Sequence, residues 1–206
     1  MNKIRILIAD DHTIVRIGLK ALVESETDIE VVGEAEDGKD AVKKTLELHP
    51  DVVIMDLVMP KVDGADATHE ICSKLPDTKV LILTTFGTSD GIAHALEAGA
   101  RGALMKTTDD ATIVSAIRDI AQGRRFVSPE VRRQLVADPP TEQFSPRQTE
   151  IMNSITKGLS NKEIASNLGI RIDSVEEHVK VILKKLGASN RAEAVAIALR
   201  KHLLKI

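Results

Sequence analysis

The sequence predicts a doubly wound, five-stranded parallel α/β sheet followed by a small all-helical domain, and three observations carry that prediction. Short unbroken apolar runs, such as VVIM at Val52–Met55, alternate five times with stretches of helical period. Strands buried on both faces read this way when helices cover both sides of a parallel sheet. From Phe144 onward the period is helical throughout, and glycines end the segments. The charge changes sign at the same place: residues 1–140 hold 17 Lys and Arg against 24 Asp and Glu, residues 141–206 hold 11 against 7, and the net −3 conceals −7 followed by +4. An acidic front and a basic tail suggest two modules, the second meeting a polyanion.

In chain order, Ile4–Ala9 (IRILIA) is an apolar strand ending in Asp10-Asp11, and Thr13–Val23 has helical spacing. Ile29–Gly33 is a short strand and Asp40–Leu48 a helix before His49-Pro50. Val52–Met55 is a strand ending at Asp56, after which Pro60 and Asp63-Gly64 turn the chain away. Ala65–Leu75 is helical, Val80–Leu83 is a strand ending at Thr84-Thr85, and Ser89–Glu97 is a helix stopped by Ala98-Gly99. Gly102–Met105 is a last strand ending at Lys106, and Asp109–Gln122 a helix ending at Gly123. This assigns residues 1–123 to the first domain, 124–143 to a linker with a short helix over Val131–Val136, and 144–206 to the second domain.

Read singly, an acid after a strand is a cap or a turn residue. Read together, the strand ends deliver Asp10, Asp11, Asp56, Thr84 and Lys106, and a flavodoxin-like strand order brings them to one edge of the sheet, where ligands of open α/β sheets bind. Three carboxylates roughly 5 Å apart repel by about 3 kcal/mol per pair at an effective dielectric of 20, so the site calls for cations. Lys106 supplies one charge. Mg²⁺ suits the remaining hard oxygen ligands, since no cluster of His or Cys competes and Cys72 is the only cysteine. A carboxylate facing both cations can act as a nucleophile toward a phosphoryl group, with Thr84 donating to a phosphoryl oxygen.

The acid pair Asp10-Asp11, the D-x-x-M-P of Asp56–Pro60, the Asp63-Gly64 pair, Thr84 and Lys106 make residues 1 to about 123 resemble a response-regulator receiver domain. The resemblance implies that Asp56 accepts the phosphoryl group and that Asp11, Asp56 and the Val58 carbonyl hold Mg²⁺ with Asp10 in support. It also implies that Lys106 binds the phosphoryl group. Receivers usually carry Tyr or Phe three residues before the lysine as a switch; here that position is Ala103. Thr84 and the helix Ser89–Glu97 are then expected to carry the two-state change, with Phe86 near enough to substitute.

In the tail, Ser145-Pro146-Arg147-Gln148 has capping-box spacing with Pro at the first helical position. Asn161 is expected to cap a second helix ending at Gly169, Asp173–Leu186 is a third stopped by Gly187, and Asn190 caps a fourth. The second and third have helix-turn-helix proportions. The runs GLSNKEIA at 158–165, SVEEHVKVILKKLG at 174–187 and NRAEAVAIAL at 190–199 resemble the LuxR-type DNA-binding domain of NarL/FixJ response regulators. On the third helix Val175, Val179, Ile182, Leu183 and Leu186 form a buried stripe. The resemblance places the opposite face in the major groove of an operator, with Ser174, Glu176, Glu177, His178, Lys180 and Lys184 as contact candidates. There Lys180 reaches guanine or phosphate and Glu177 a cytosine amine. The helix amino ends near Ser145 and Asn161, with Lys162, would hold phosphates. Ala194 and Ala198 on the last helix are expected at a dimer contact.

These readings converge on a two-domain transcriptional regulator, phosphorylated at Asp56 by a sensor histidine kinase and binding double-stranded DNA as a homodimer when phosphorylated. No segment approaches the apolar length of a membrane span and the chain runs directly into a strand, so a cytoplasmic protein without membrane contact is expected. One rival is a Mg²⁺-dependent aspartate-nucleophile phosphatase. It needs an acid two residues after the nucleophile, where Val58 stands. The other rival acts through protein contacts, its groove helix weakened for DNA by Glu176 and Glu177.

Overall fold

The computed structural model describes residues 3–85, 88–142, 144–201 and 203, and the chain forms two compact units, Met1–Pro139 and Pro140–Ile206. The first unit runs β1 (Ile4–Ala9), α1 (Thr13–Glu24), β2 (Ile29–Ala35), α2 (Gly38–Leu48), β3 (Val52–Met55), α3 (Gly64–Lys74), β4 (Lys79–Thr84), α4 (Ser89–Glu97), β5 (Gly102–Met105), α5 (Asp110–Ala121), β6 (Phe126–Val127) and α6 (Pro129–Ala137). All described strand pairs are parallel, in the order β2-β1-β3-β4-β5-β6. Alternate strand residues serve opposite layers. Ile6, Ile8, Ile54, Leu81 and Leu83 pack with α1 and α5, while Leu7, Met55, Ile82 and Ala103 pack with α2, α3, α4 and α6. Both faces are therefore buried, which is why these strands are apolar without alternation.

The sheet carries one strand more than the five expected. Phe126–Val127 pairs with Gly102 and Ala103 on the outer edge of β5, and Ser128 N–H donates to the Ala103 carbonyl at 3.0 Å. Two residues are too few to show a strand period, so only the tertiary pairing reveals it. The following helix α6 starts on Ser128, whose hydroxyl accepts from Val131 N–H, with Pro129 in the first turn. Val131 is fully buried against β5 and α4, so much of the segment expected to be a linker is ordered as part of the first unit.

Two glycines hold the loops at the sheet's carboxyl edge. A Cβ on Gly64 would lie 2.0 Å from the Asp56 carbonyl oxygen, and one on Gly38 would lie 2.2 Å from that of Val62. Gly64 N–H donates to the Leu57 carbonyl at 2.9 Å, folding the Asp63-Gly64 turn back over the end of β3. Only a residue without a side chain permits that approach.

The second unit contains α7 (Pro146–Thr156), α8 (Asn161–Leu168), α9 (Ile172–Leu186) and α10 (Arg191–Arg200) around one apolar core. The Ser145–Gln148 capping box is present, with Ser145 N–H donating to Gln148 Oε1 at 2.9 Å and Gln148 N–H to Ser145 Oγ at 3.3 Å. Asn190 caps α10 as expected. The cap of α8 is Ser160 rather than Asn161: Ser160 and Glu163 form a second capping box, and Asn161 is the first helical residue. A serine three residues before a glutamate satisfies two backbone donors at once, which an asparagine one place later does not.

Candidate functional site

The ends of β1, β3, β4 and β5 meet at the carboxyl edge, and backbone bonds lock them in register: Asp56 N–H to the Ala9 carbonyl and Lys106 N–H to the Thr84 carbonyl, both at 2.9 Å. Asp10, Asp56 and Thr84 are 1%, 5% and 1% exposed. The Lys106 ammonium lies 2.5 Å from Asp10 Oδ2 and 2.8 Å from Asp56 Oδ2, bridging the two buried carboxylates. Leu57 N–H donates to Asp56 Oδ1 at 2.7 Å, leaving that side chain fixed at both oxygens.

Burial pushes the Asp56 carboxyl above the usual carboxylate range, against the pull of Lys106. Burial also works against the Lys106 ammonium, but its bonds to Asp10 and Asp56 outweigh that and hold it above the usual lysine range. With all three acids ionised, one lysine leaves two negative charges uncompensated. Ligand atoms of Asp10, Asp11, His12 and Asp56 lie within 4.8 Å of one another, a spacing and donor set that fit a divalent cation with oxygen ligands. The Thr84 hydroxyl, fully enclosed, has no hydrogen-bond partner among the described residues. A buried donor without an acceptor marks a place where a ligand oxygen is wanted.

His12 is the residue the sequence reading missed: its Nδ1 sits 2.7 Å from Asp11 Oδ1 and 3.4 Å from Asp10 Oδ1. Its adjacency to the acid pair was the available signal. Val58, two residues beyond Asp56, turns its side chain to solvent, 55% exposed. Ala103 is fully buried on β5, on the layer of the sheet that α4 and α6 cover, rather than among the acids. Phe86 lies outside the described residues.

In the second unit α8 and α9 are joined by a short turn at Gly169, whose φ of 63° is left-handed. Val175, Ile182 and Leu186 are buried and Val179 and Leu183 partly buried against the core, so the expected stripe faces inward. Glu176, Glu177, Lys180 and Lys184 are exposed on the other side, Ser174 and His178 are half-buried, and Lys162 is exposed on α8. Acids occupy the first half of α9 and lysines the second, matching the helix dipole. Ala194 and Ala198 correct an expectation. They are 1% and 0% exposed within the bundle core, so they have no surface to offer a partner. The outward side of α10 instead shows Ala192, Ala196 and Leu199.

A carboxylate-lined pocket at the edge of a doubly wound sheet, followed by a helix-turn-helix bundle, defines a response regulator of transcription, a class that pairs with sensor histidine kinases and binds DNA. Residues 6–118 match the response regulator receiver domain and residues 142–198 the luxR family of bacterial regulatory proteins, and the chain belongs to the response regulators that join the two. It is similar to the transcriptional regulatory protein LiaR of Bacillus subtilis, 41% identical over 98% of this chain and 99% of LiaR. The response regulator protein VraR of Staphylococcus aureus is 40% identical with the same coverage. Among solved structures, the response regulator ChrA of a heme-sensing two-component system is 36% identical, covering 99% of this chain and 100% of that one at a TM-score of 0.60. A structure of two RcsB dimers bound to two parallel DNAs is 26% identical, covering 97% and 99%, at a TM-score of 0.68. No described helix is long and apolar enough to cross a membrane.

Proposed function

We propose that Asp56 is the phosphoacceptor of this response regulator and that its modification governs how the second unit binds DNA. The observation that carries the reading is the pairing of a lysine-clamped, buried carboxylate with a buried hydroxyl that has no hydrogen-bond partner among the described residues. An Asp56 oxygen attacks the phosphorus of a phosphohistidine, the P–N bond breaks as the P–O bond forms, and the leaving imidazole takes up a proton. Lys106 moves its ammonium from carboxylate to phosphoryl oxygen, and Thr84 donates to another. Mg²⁺, held by Asp10, Asp11, Asp56 and the Val58 carbonyl, would neutralise charge on the transferring oxygens. Small acyl phosphates are expected to serve as donors in the same pocket, and autodephosphorylation to reverse the step. The protein works in the cytoplasm, where kinase and chromosome meet it.

On DNA, the exposed face of α9 enters the major groove as a homodimer on two half-sites. Lys180 and Lys184 meet guanine or phosphate, Glu176 and Glu177 face base amines, and Ser174, His178 and Lys162 flank the backbone. The test is incubation with an acyl phosphate and Mg²⁺ followed by intact mass, oligomeric state and DNA retention. One phosphoryl gain, absent in Asp56→Asn, supports the reading; an unmodified wild type rejects it. The exposed acids on α9 favour one second reading, a regulator working through protein contacts. Failure to retain any upstream fragment at low salt would decide for that alternative.

A further inference from the structure

We infer that His12 makes the acid pocket a site for a transition-metal dication, Zn²⁺ in particular, and that this ion competes with Mg²⁺ and blocks phosphoryl transfer to Asp56. Binding of the ion stands apart from the phosphoacceptor reading, and its effect on phosphorylation rests on that reading. His12 occupies the N-cap position of α1, where Ser, Thr, Asp or Asn usually serves, yet its side chain makes no cap bond. The imidazole turns to the acids instead, with Nδ1 3.4 Å from Asp10 Oδ1 and 2.7 Å from Asp11 Oδ1. Metal–ligand bonds of about 2.1 Å set neighbouring ligand atoms roughly 3.0–3.4 Å apart, so the first distance already fits and the second has to open by only roughly 0.3 Å.

The loop that carries these atoms is held before any ion arrives. His12 N–H donates to Asp10 Oδ1 at 2.9 Å, and the Arg16 guanidinium donates to the Asp10 carbonyl at 2.7 Å. Lys106 meets the other carboxylate oxygen of Asp10, Oδ2, so the Oδ1 side is the one that faces the imidazole. The enclosed Thr84 hydroxyl at the same sheet edge, without a partner among the described residues, is a separate sign that the pocket is shaped around something it does not itself supply.

Ligand chemistry selects the ion. Mg²⁺ prefers oxygen and keeps several waters, whereas Zn²⁺ takes imidazole nitrogen and carboxylate oxygen together in a tetrahedral set. Asp10, Asp11, His12 and Asp56 each offer one ligand atom, all within 4.8 Å of one another, which makes four. Four protein ligands close a tetrahedral ion and leave no position for a phosphoryl oxygen. Zn²⁺ in this pocket is therefore an inhibitor, where Mg²⁺ is a helper.

The test uses the full chain with zinc chloride, magnesium chloride and acetyl phosphate as probes. The His12 side chain is 69% exposed and caps nothing, so His12→Ala spares the fold, and His12→Ser, which supplies a capping residue, is the second variant. Calorimetric titration is expected to show Zn²⁺ binding that Mg²⁺ displaces. Both variants should lower the ratio of Zn²⁺ to Mg²⁺ affinity at least about tenfold, while Asp11→Asn weakens both ions. Co²⁺ in place of Zn²⁺ should give the visible absorption of a tetrahedral site, and His12→Ala should lose it. With phosphorylation followed by intact mass, the Zn²⁺ concentration that halves the phosphoryl gain should rise at least about tenfold in His12→Ala. An affinity ratio that neither variant moves, or Zn²⁺ that Mg²⁺ does not displace, overturns the site. Phosphoryl gain undiminished at saturating Zn²⁺ overturns the inhibition. A wild type that binds Zn²⁺ through His12 but gains no phosphoryl group when Zn²⁺ is absent overturns the phosphoacceptor reading, and the inhibition with it, and leaves the metal site standing.

Discussion

Thr84 is the residue at which stability and function separate. Its hydroxyl is buried without a hydrogen-bond partner among the described residues, so the resting fold gains no bond from them at that oxygen. Thr84→Val keeps the shape and is expected to leave stability unchanged or raise it by up to about 1 kcal/mol, because an unsatisfied buried polar group is a cost. The same change should leave Asp56 phosphorylated but abolish the downstream response, as seen by urea unfolding beside phosphorylation-dependent DNA retention. Asp37 behaves in the opposite way. It caps α2 by accepting from Asp40 N–H at 2.8 Å, and its other oxygen bonds Lys61 from the β3–α3 loop. The hydrogen bond from Lys61 holds its carboxyl below the ordinary value of 3.8. A depressed carboxylate contributes stability above its unfolded pKa and loses it as pH falls through the folded value. Asp37→Asn keeps the cap and removes the charge. It should cost no more than about 1 kcal/mol at pH 7, since Lys61 is largely solvated, and the difference from wild type should shrink progressively as pH falls below the ordinary 3.8. Equal gaps at pH 7 and pH 3 would count against the assignment.

At the scale of elements, α9 and α10 show how differently two helices expose their faces. Val175, Ile182 and Leu186 recur at helical spacing among charged residues, so the buried side of α9 was plain from its letters. In α10 alanines stand at 192, 194, 196 and 198, and a run of small residues gives the period no contrast to read. Hence the inward turn of Ala194 and Ala198 emerged only from packing. Glu176 and Glu177 are exposed on the α9 face proposed to meet DNA, and acids near phosphates weaken binding. The double change Glu176→Gln, Glu177→Gln is expected to tighten binding to unrelated duplex by roughly tenfold at low salt, while sequence preference falls if Glu177 reads a cytosine amine. Titration of specific and scrambled duplexes across a salt series measures both. An unchanged affinity would place these acids away from DNA.

The whole molecule is two compact units with separate cores, Met1–Pro139 and Pro140–Ile206. Each is expected to unfold in its own transition, and a ligand that binds one folded unit stabilises only that one. Mg²⁺ at about ten times its dissociation constant should raise the receiver transition by about 1.4 kcal/mol and leave the second where it was. In Asp11→Asn the first shift should shrink, because one of the carboxylates proposed to hold the ion is gone. Denaturant unfolding with and without Mg²⁺ resolves the two steps. A shift shared by both would mean that the units unfold together.

The amino-acid order alone determined the alternating strands and helices, the acids, hydroxyl and lysine at the strand ends, and the helix-turn-helix. Local rules suffice there: strands covered on both sides are apolar without a break, and caps and glycines mark where helices stop. Tertiary structure alone decided that β6 pairs on the edge of β5, that Val131 anchors α6 in the apolar cluster that also holds Ala103, and that Ala194 and Ala198 turn into the core of the second unit. Each of these depends on which surfaces meet in space, and a segment as short as two residues, or one built of small side chains, carries too little pattern of its own to say which neighbour it will find.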